Sequence, residues 1–153
     1  MAAVDEGVSI ERDVLALITG QLLAVLSTEL HGQPYASLLA FAGTADLRHL
    51  VFATPRTTRK FANISENPRV ALLINSATNS EADIHRAASV TAIGTAEVME
   101  GEEREELLAL YLKKHPHLKS FTLAPTTAVV RVSVTRYYLV KRFQTVMELH
   151  IRP

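Results

Sequence analysis

The sequence predicts an α+β fold: an antiparallel β-barrel, closed or split, of about 6–7 strands with helices flanking it. Three observations point there. About seven short strand-like runs follow one another at close spacing, with two or three helices outside them. The βαβ alternation that builds a doubly wound sheet is missing. No repeat, linker or low-complexity stretch divides the 153 residues, so residues 1–153 are expected to form a single domain.

The elements follow in order. Residues 8–20, VSIERDVLALITG, place Ile10, Val14, Leu17 and Ile18 at i, i+4, i+7 and i+8, with Ser9 as a cap and Gly20 as the stop. LLAVLST (22–28), the turn-prone His31-Gly32, PYASLLAF (34–41), Gly43 and LRHLVFAT (47–54) read as three strands of an antiparallel meander. RVALLIN (69–75) is a continuous apolar run and reads as a strand buried on both faces. In ASVTAIGTAEVME (88–100), Gly94 is the candidate bulge or bend. GEEREELLALYLKKHP (101–116) is the clearest helix. Its stripe is Leu107, Leu108, Tyr111 and Leu112, with glutamates early, Lys113, Lys114 and His115 late, and Pro116 as the stop. TTAVVRVSVT (126–135) puts Ala128, Val130, Val132 and Val134 on one face, and YYLVKRF (137–143) and TVMELHI (145–151) follow as further short strands.

Composition narrows the function. Sixteen Lys and Arg balance sixteen Asp and Glu, with a pI near 7.0. Such a balance argues against a nucleic-acid coat or an anionic-membrane binder, both of which need a strongly basic face. Small molecules or proteins are the expected partners. The absence of cysteine excludes disulfides, thiolate metal sites and a Cys nucleophile, so redox chemistry has to come from a cofactor. The acidic start MAAVDEGVSIERD has neither a cationic region nor an apolar core of a secretory signal, and apolar runs fall far short of the roughly 18 residues a membrane span needs. A cytoplasmic protein is expected.

Against this neutral background, FATPRTTRKFANISENPRV (52–70) concentrates Arg56, Arg59 and Lys60 where a strand ending near Thr54 gives way to a helix beginning near Thr57. A helix start presents free N–H groups and the positive end of its dipole, which favour an anion, above all a phosphate. Thr57 or Thr58 can cap that helix or offer a hydroxyl. Cations in a first turn cost stability unless an anion accompanies them. The plain alternative is a set of solvated surface charges.

The stretch VFATPRTTRKFANISENPRVALLI resembles the strand, (Ser/Thr)-Arg-Lys, helix, Asn-Pro-Arg-Val, strand segment of the pyridoxamine 5'-phosphate oxidase-like, FMN-binding split-barrel superfamily. The matching residues are Val51-Phe52, Thr54, Thr58-Arg59-Lys60 and Asn67-Pro68-Arg69-Val70, and weaker similarity covers about residues 15–145. The resemblance implies a split barrel that binds FMN, with Thr58, Arg59 and Lys60 at the phosphate and Thr54 near the ribityl chain. Ser37 and Leu38 would border the flavin ring. It also implies a homodimer with the flavin at the interface, to which the second chain would contribute from among His85, Arg86 and Ser89. Departures limit the transfer. PYASLLAF lacks the Arg and Lys of true pyridoxamine-phosphate oxidases, the chain has no Trp, and it ends at MELHIRP without the Arg-Leu-His segment that grips the substrate phosphate. The implied function is therefore a flavin-dependent oxidoreductase acting on a small organic substrate, with a nicotinamide as electron source, and not a B6-phosphate oxidase.

Two alternatives belong to the same fold. One is a flavin- or haem-binding module without turnover, for which His150 stands near the C-terminus where haem-degrading split barrels place an axial ligand. The other is a deazaflavin-dependent reductase. No nucleophile elbow, P-loop, dinucleotide turn or zinc-helix motif occurs. His115-Pro116-His117 follows a helix end, where surface or dipole roles are commoner than metal ligation, and no metal is expected.

Overall fold

The computed structural model describes residues 2–142 and 145–153, of which 2–8 by their backbone only. The order of elements is α1 (Ala2–Gly20), β1 (Leu23–Leu30), β2 (Gln33–Ala40), β3 (Ala42–Gly43), β4 (His49–Pro55), α2 (Arg59–Glu66), β5 (Arg69–Asn75), α3 (Asp83–Arg86), β6 (Ser89–Val98), α4 (Gly101–Lys114), α5 (Lys119–Leu123), β7 (Thr127–Lys141) and β8 (Thr145–His150). The strands form one antiparallel sheet in the order β2-β1-β5-β6-β7-β4-β3, with β8 also on β7. This curled sheet with helices around it is the split barrel that the sequence implies.

The split has a physical location. β2 ends one side of the sheet, and β4 lies near the other end; the two approach each other without forming a hydrogen-bonded ladder. On the far side, β7 pairs with β4 from Thr127 to Ser133 and with β8 from Arg136 to Lys141, so Thr135 stands at a fork. Opposite this fork the β6–β7 register slips between Ile93 and Gly94. A Cβ on Gly94 would lie 2.4 Å from the Ser133 carbonyl oxygen, so only glycine lets the strands approach this closely.

Several sequence expectations are corrected. The three-strand meander is replaced by a β1–β2 hairpin, turned at His31 and Gly32 with φ of 51° and 82°, while β4 leaves it to pair with β7. β5 is not buried on both faces: Val70, Leu72 and Ile74 point inward, but Leu73 is 39% exposed. β4 is the strand buried on both faces, because α4 and α5 cover the outer side of β3, β4 and β7 with Leu108, Tyr111 and Phe121. Residues 127–141 form one bent strand rather than two short ones; Phe143, the end of the expected second run, lies outside the described residues. Helix α1 begins at Ala2, so Ser9 lies within it and caps nothing.

Val14, Leu17 and Ile18 of α1 plug the barrel against Leu26, Phe41, Leu50, Phe52, Leu72, Ile74 and Leu139. Gly43 permits that plug, because a Cβ there would meet Ile18 Cγ2 at 2.5 Å. Tyr137, fully buried, donates its hydroxyl to the Leu47 carbonyl at 2.8 Å, pinning a turn in which Leu47 holds φ of 64°. Among the described residues no helix is long and apolar enough to cross a membrane.

Candidate functional site

The β4–α2 junction is built from its hydroxyls outward. Thr58 has extended backbone (φ −80°, ψ 157°) and is the N-cap of α2; its Oγ1 accepts from the Phe61 N–H at 3.3 Å. The same hydroxyl donates to the Pro55 carbonyl at 3.0 Å and lies 2.9 Å from the hydroxyl of buried Thr54. Thr58 is thus the capping threonine, and Thr57 is exposed. The next N–H groups, on Arg59 and Lys60, belong to the first turn, which has no intrahelical acceptors.

Two clamps on β1 set the direction of α2. Buried Asn63 donates Nδ2–H to Thr28 Oγ1 at 2.9 Å, and Asn67, the C-cap, donates to Glu29 Oε2 at 2.6 Å. Sequence reasoning missed this pair of clamps. Asn-Pro signals a helix stop, but nothing local to Asn63 announces a partner 35 positions away.

The three cations separate. Arg56 is the cation with a carboxylate: its guanidinium lies 5.6 Å from the Phe61 ring centre and 3.5 Å from Glu100. Arg59 reaches toward β2 and sits 5.9 Å from the ring centre of Tyr35. Lys60 is half-buried, and neither it nor Arg59 has a carboxylate partner among the described residues. The first turn of α2 contains no acidic residue either. Positive charge at this helix start is therefore uncompensated.

Ser37 faces the barrel interior from β2, paired with Leu26, and its Oγ is sealed from solvent with no hydrogen-bond partner. Such an orphan costs about 1–3 kcal/mol unless a further group meets it. Leu38, next along, faces outward at 65% exposure. It belongs to an outward row in which cross-strand pairing aligns Leu38, Val25, Leu73, Thr91 and Tyr138. Two grooves of about 450 Å³ each run over this face. One is lined by Leu23 and Leu38, the other by Ile84, Ser89 and Val140, and they share Leu73, Asn75 and Ala77.

The expected site residues thus fall into two groups. Thr54, Thr58, Arg59 and Lys60 lie at the β4–α2 junction, and Ser37 is on the edge strand β2, two residues from the Tyr35 ring toward which Arg59 reaches. Ser89 lies on β6, three strand spacings or about 14 Å from β2 within one chain. Arg86 and His85 are exposed on α3. The loop that carries α3 is organised by Asp83, whose carboxylate accepts from the Thr78 and Ser80 N–H groups; those bonds hold its pKa below the usual carboxylate range. His150 is exposed and 2.9 Å from Glu148 Oε2. Among the described residues no group of His, Asp and Glu is arranged to hold a metal.

Fold and junction together define a class: a split barrel whose edge strand borders a cationic helix start. The chain belongs to the pyridoxamine 5'-phosphate oxidase family, whose model matches residues 10–141. No curated protein matches it at a significant level. Among solved structures it is similar to the haem-binding protein from Mycobacterium smegmatis, with a TM-score of 0.82 and 20% identity over 92% of this chain and 57% of that one. ChuZ from Campylobacter jejuni gives a TM-score of 0.80 and 16% identity over 93% of this chain and 59% of that one. For an FAD-binding protein from Mesorhizobium loti the values are 0.70 and 17%, over 84% and 90%. The chain spans a little over half the length of the first two, and at these identities the likeness is one of fold.

Proposed function

We propose that this chain is an FMN-binding oxidoreductase that works as a homodimer, with the flavin at the interface, on a small organic substrate and with a nicotinamide as electron source. The observation that carries the reading is the start of α2, where among the described residues Arg59 and Lys60 have no carboxylate partner and the first turn has no acid. The residues present fit a phosphate-bearing cofactor. Arg59, Lys60 and the first-turn N–H groups would hold the phosphate. Ser37 on β2 and Thr54 on β4 would stand behind that site. Thr58, already used as cap, would orient that turn, and exposed Thr57 and Arg56 would lie at its margin. Bound flavin supplies electron or hydride transfer, so the protein's task is binding, orientation and exclusion of water. Leu38 opens onto the outer trough that also reaches Ser89. A second chain laid on this trough would bring its own Ser89 and Arg86 toward Leu38, which one chain cannot do across 14 Å or so of sheet.

The test is the spectrum and affinity of the purified protein. Flavin bands, weakened FMN binding in Lys60→Ala by about tenfold or more, and low riboflavin affinity unchanged by that substitution are expected, since one charge-assisted hydrogen bond is worth roughly 1.5–3 kcal/mol. A Soret band would replace this reading with the haem alternative, in keeping with the haem-binding protein of M. smegmatis. Binding of a deazaflavin in preference to FMN would change the cofactor and keep the phosphate site. Pyridoxamine phosphate should be oxidised negligibly, because β2 carries no cation.

A further inference from the structure

The outer face of the sheet changes character along its strands. Beyond the apolar row of Leu38 and Leu73 lies a groove of about 560 Å³ that shares no lining residue with the two grooves over that row. Arg69, at the start of β5, pairs with Thr95 of β6, and Arg136 of β7 pairs with Ile93, two residues further along β6. The two arginines therefore stand on one face, about 10 Å apart across the sheet and about 7 Å along it. Half-buried Ala71 and Ile93 line the groove between them, and Ser27 and Thr95 add hydroxyls. A bulge brings Arg136 there. Ile93 pairs with Arg136 and Gly94 with Val134, which leaves Thr135 without a partner on β6 and turns two consecutive side chains, Thr135 and Arg136, outward. In regular alternation one of the two would face the core. The Thr135 hydroxyl donates to the Ile93 carbonyl at 3.2 Å, and Arg136 donates from Nη1 to the Tyr138 hydroxyl at 3.0 Å. A neutral partner thus orients that guanidinium and leaves its charge unpaired. Among the described residues the Arg69 guanidinium has neither a hydrogen-bond nor an ion-pair partner. Glu29, the one carboxylate lining the groove, is held elsewhere: its oxygens accept from the Gly32 N–H and from Asn67 Nδ2.

We propose that this groove binds a small dicarboxylate, with one carboxylate on each guanidinium and the carbon chain lying across Ala71 and Ile93. A guanidinium fork matches the two oxygens of a carboxylate, so a pair of arginines set apart reads a pair of carboxylates set apart. The apolar stretch between them selects for the linking carbons. A compact anion such as inorganic phosphate meets one arginine and leaves the other unpaired. Neither Arg59 nor Lys60 lines this groove, so the acid site is separate from the proposed phosphate site at α2 and stands without it.

The experiment is a calorimetric titration of the full chain with succinate at physiological ionic strength, first alone and then with excess FMN. One saturable site per chain is expected, with the same affinity in both titrations. Arg69→Gln and Arg136→Gln should each weaken it by about tenfold or more, since each removes a charge-assisted pair. Arg136→Lys should recover only part of the loss, because the charge returns without the fork. Butyrate and inorganic phosphate should bind at least about tenfold more weakly than succinate. Both arginines are exposed, so the variants should keep the parent's thermal unfolding curve. Absence of saturable binding, phosphate binding as tight as succinate, displacement of succinate by FMN, or succinate affinity that survives both glutamine substitutions would overturn the proposal.

Discussion

Thr58 shows how much one hydroxyl decides here. Its oxygen caps α2 and donates to Pro55, so Thr58→Ala should lower stability by about 1 kcal/mol in a urea titration. Thr57→Ala, at an exposed position, should stay within about 0.5 kcal/mol of the parent. The sequence offered either threonine as the cap, since both precede the helical run, and only backbone geometry chooses. A second residue-scale outcome concerns acid. Burial holds the His49 pKa below its ordinary value, and the charge of Arg131 adds to the effect. Below pH 6.5 the unfolded chain therefore takes up a proton that the folded chain resists, and stability falls as pH drops through that value. His49→Gln should flatten this limb of a pH–stability curve; an unchanged limb would assign it to other groups. The cations of residues 56–60 were legible as a cluster, but their separate fates were not, because Glu100 and Tyr35, which take Arg56 and Arg59, are distant in sequence.

Among the elements, β6 and β7 carry the curvature of the barrel. Gly94→Ala should cost upward of about 2 kcal/mol, because its methyl would press on the Ser133 carbonyl oxygen and on Val132, a backbone collision that rotamer changes cannot relieve. Thermal denaturation measures this, and wild-type stability in the variant would mean that the strands part without cost. Gly94 was recognisable from sequence as a bulge candidate, and most strands and both long helices were recognisable from their periods. What could not be read was which strand pairs with which. Alternation specifies a face, not a neighbour, so β4 looked like the third strand of a meander until its pairing with β7 was seen. In the same way RVALLIN looked doubly buried because apolar residues sit on both its faces, yet among the described residues no helix covers the outer one.

For the whole molecule, the uncovered outer face dominates. Leu38 and Leu73 are exposed in one continuous row with Val25, whereas α4 and α5 shield the outer side of β3, β4 and β7. If a second copy covers this row, as proposed, Leu73→Arg should shift the protein to monomer in sedimentation at micromolar concentration and weaken FMN binding with it. Loss of the dimer with FMN affinity intact would separate the flavin site from the interface. The split itself bears on how the chain folds. The β1–β2 hairpin closes through a two-residue turn, whereas Leu50 must find Val132 far along the chain, so loop-closure entropy places the hairpin early and the β4–β7 ladder late. The candidate site straddles the two: Ser37 rides on the hairpin and Lys60 follows β4. Amides of β1 should accordingly gain protection before those of β4 in a refolding experiment, and phosphate affinity should emerge only with the slower phase.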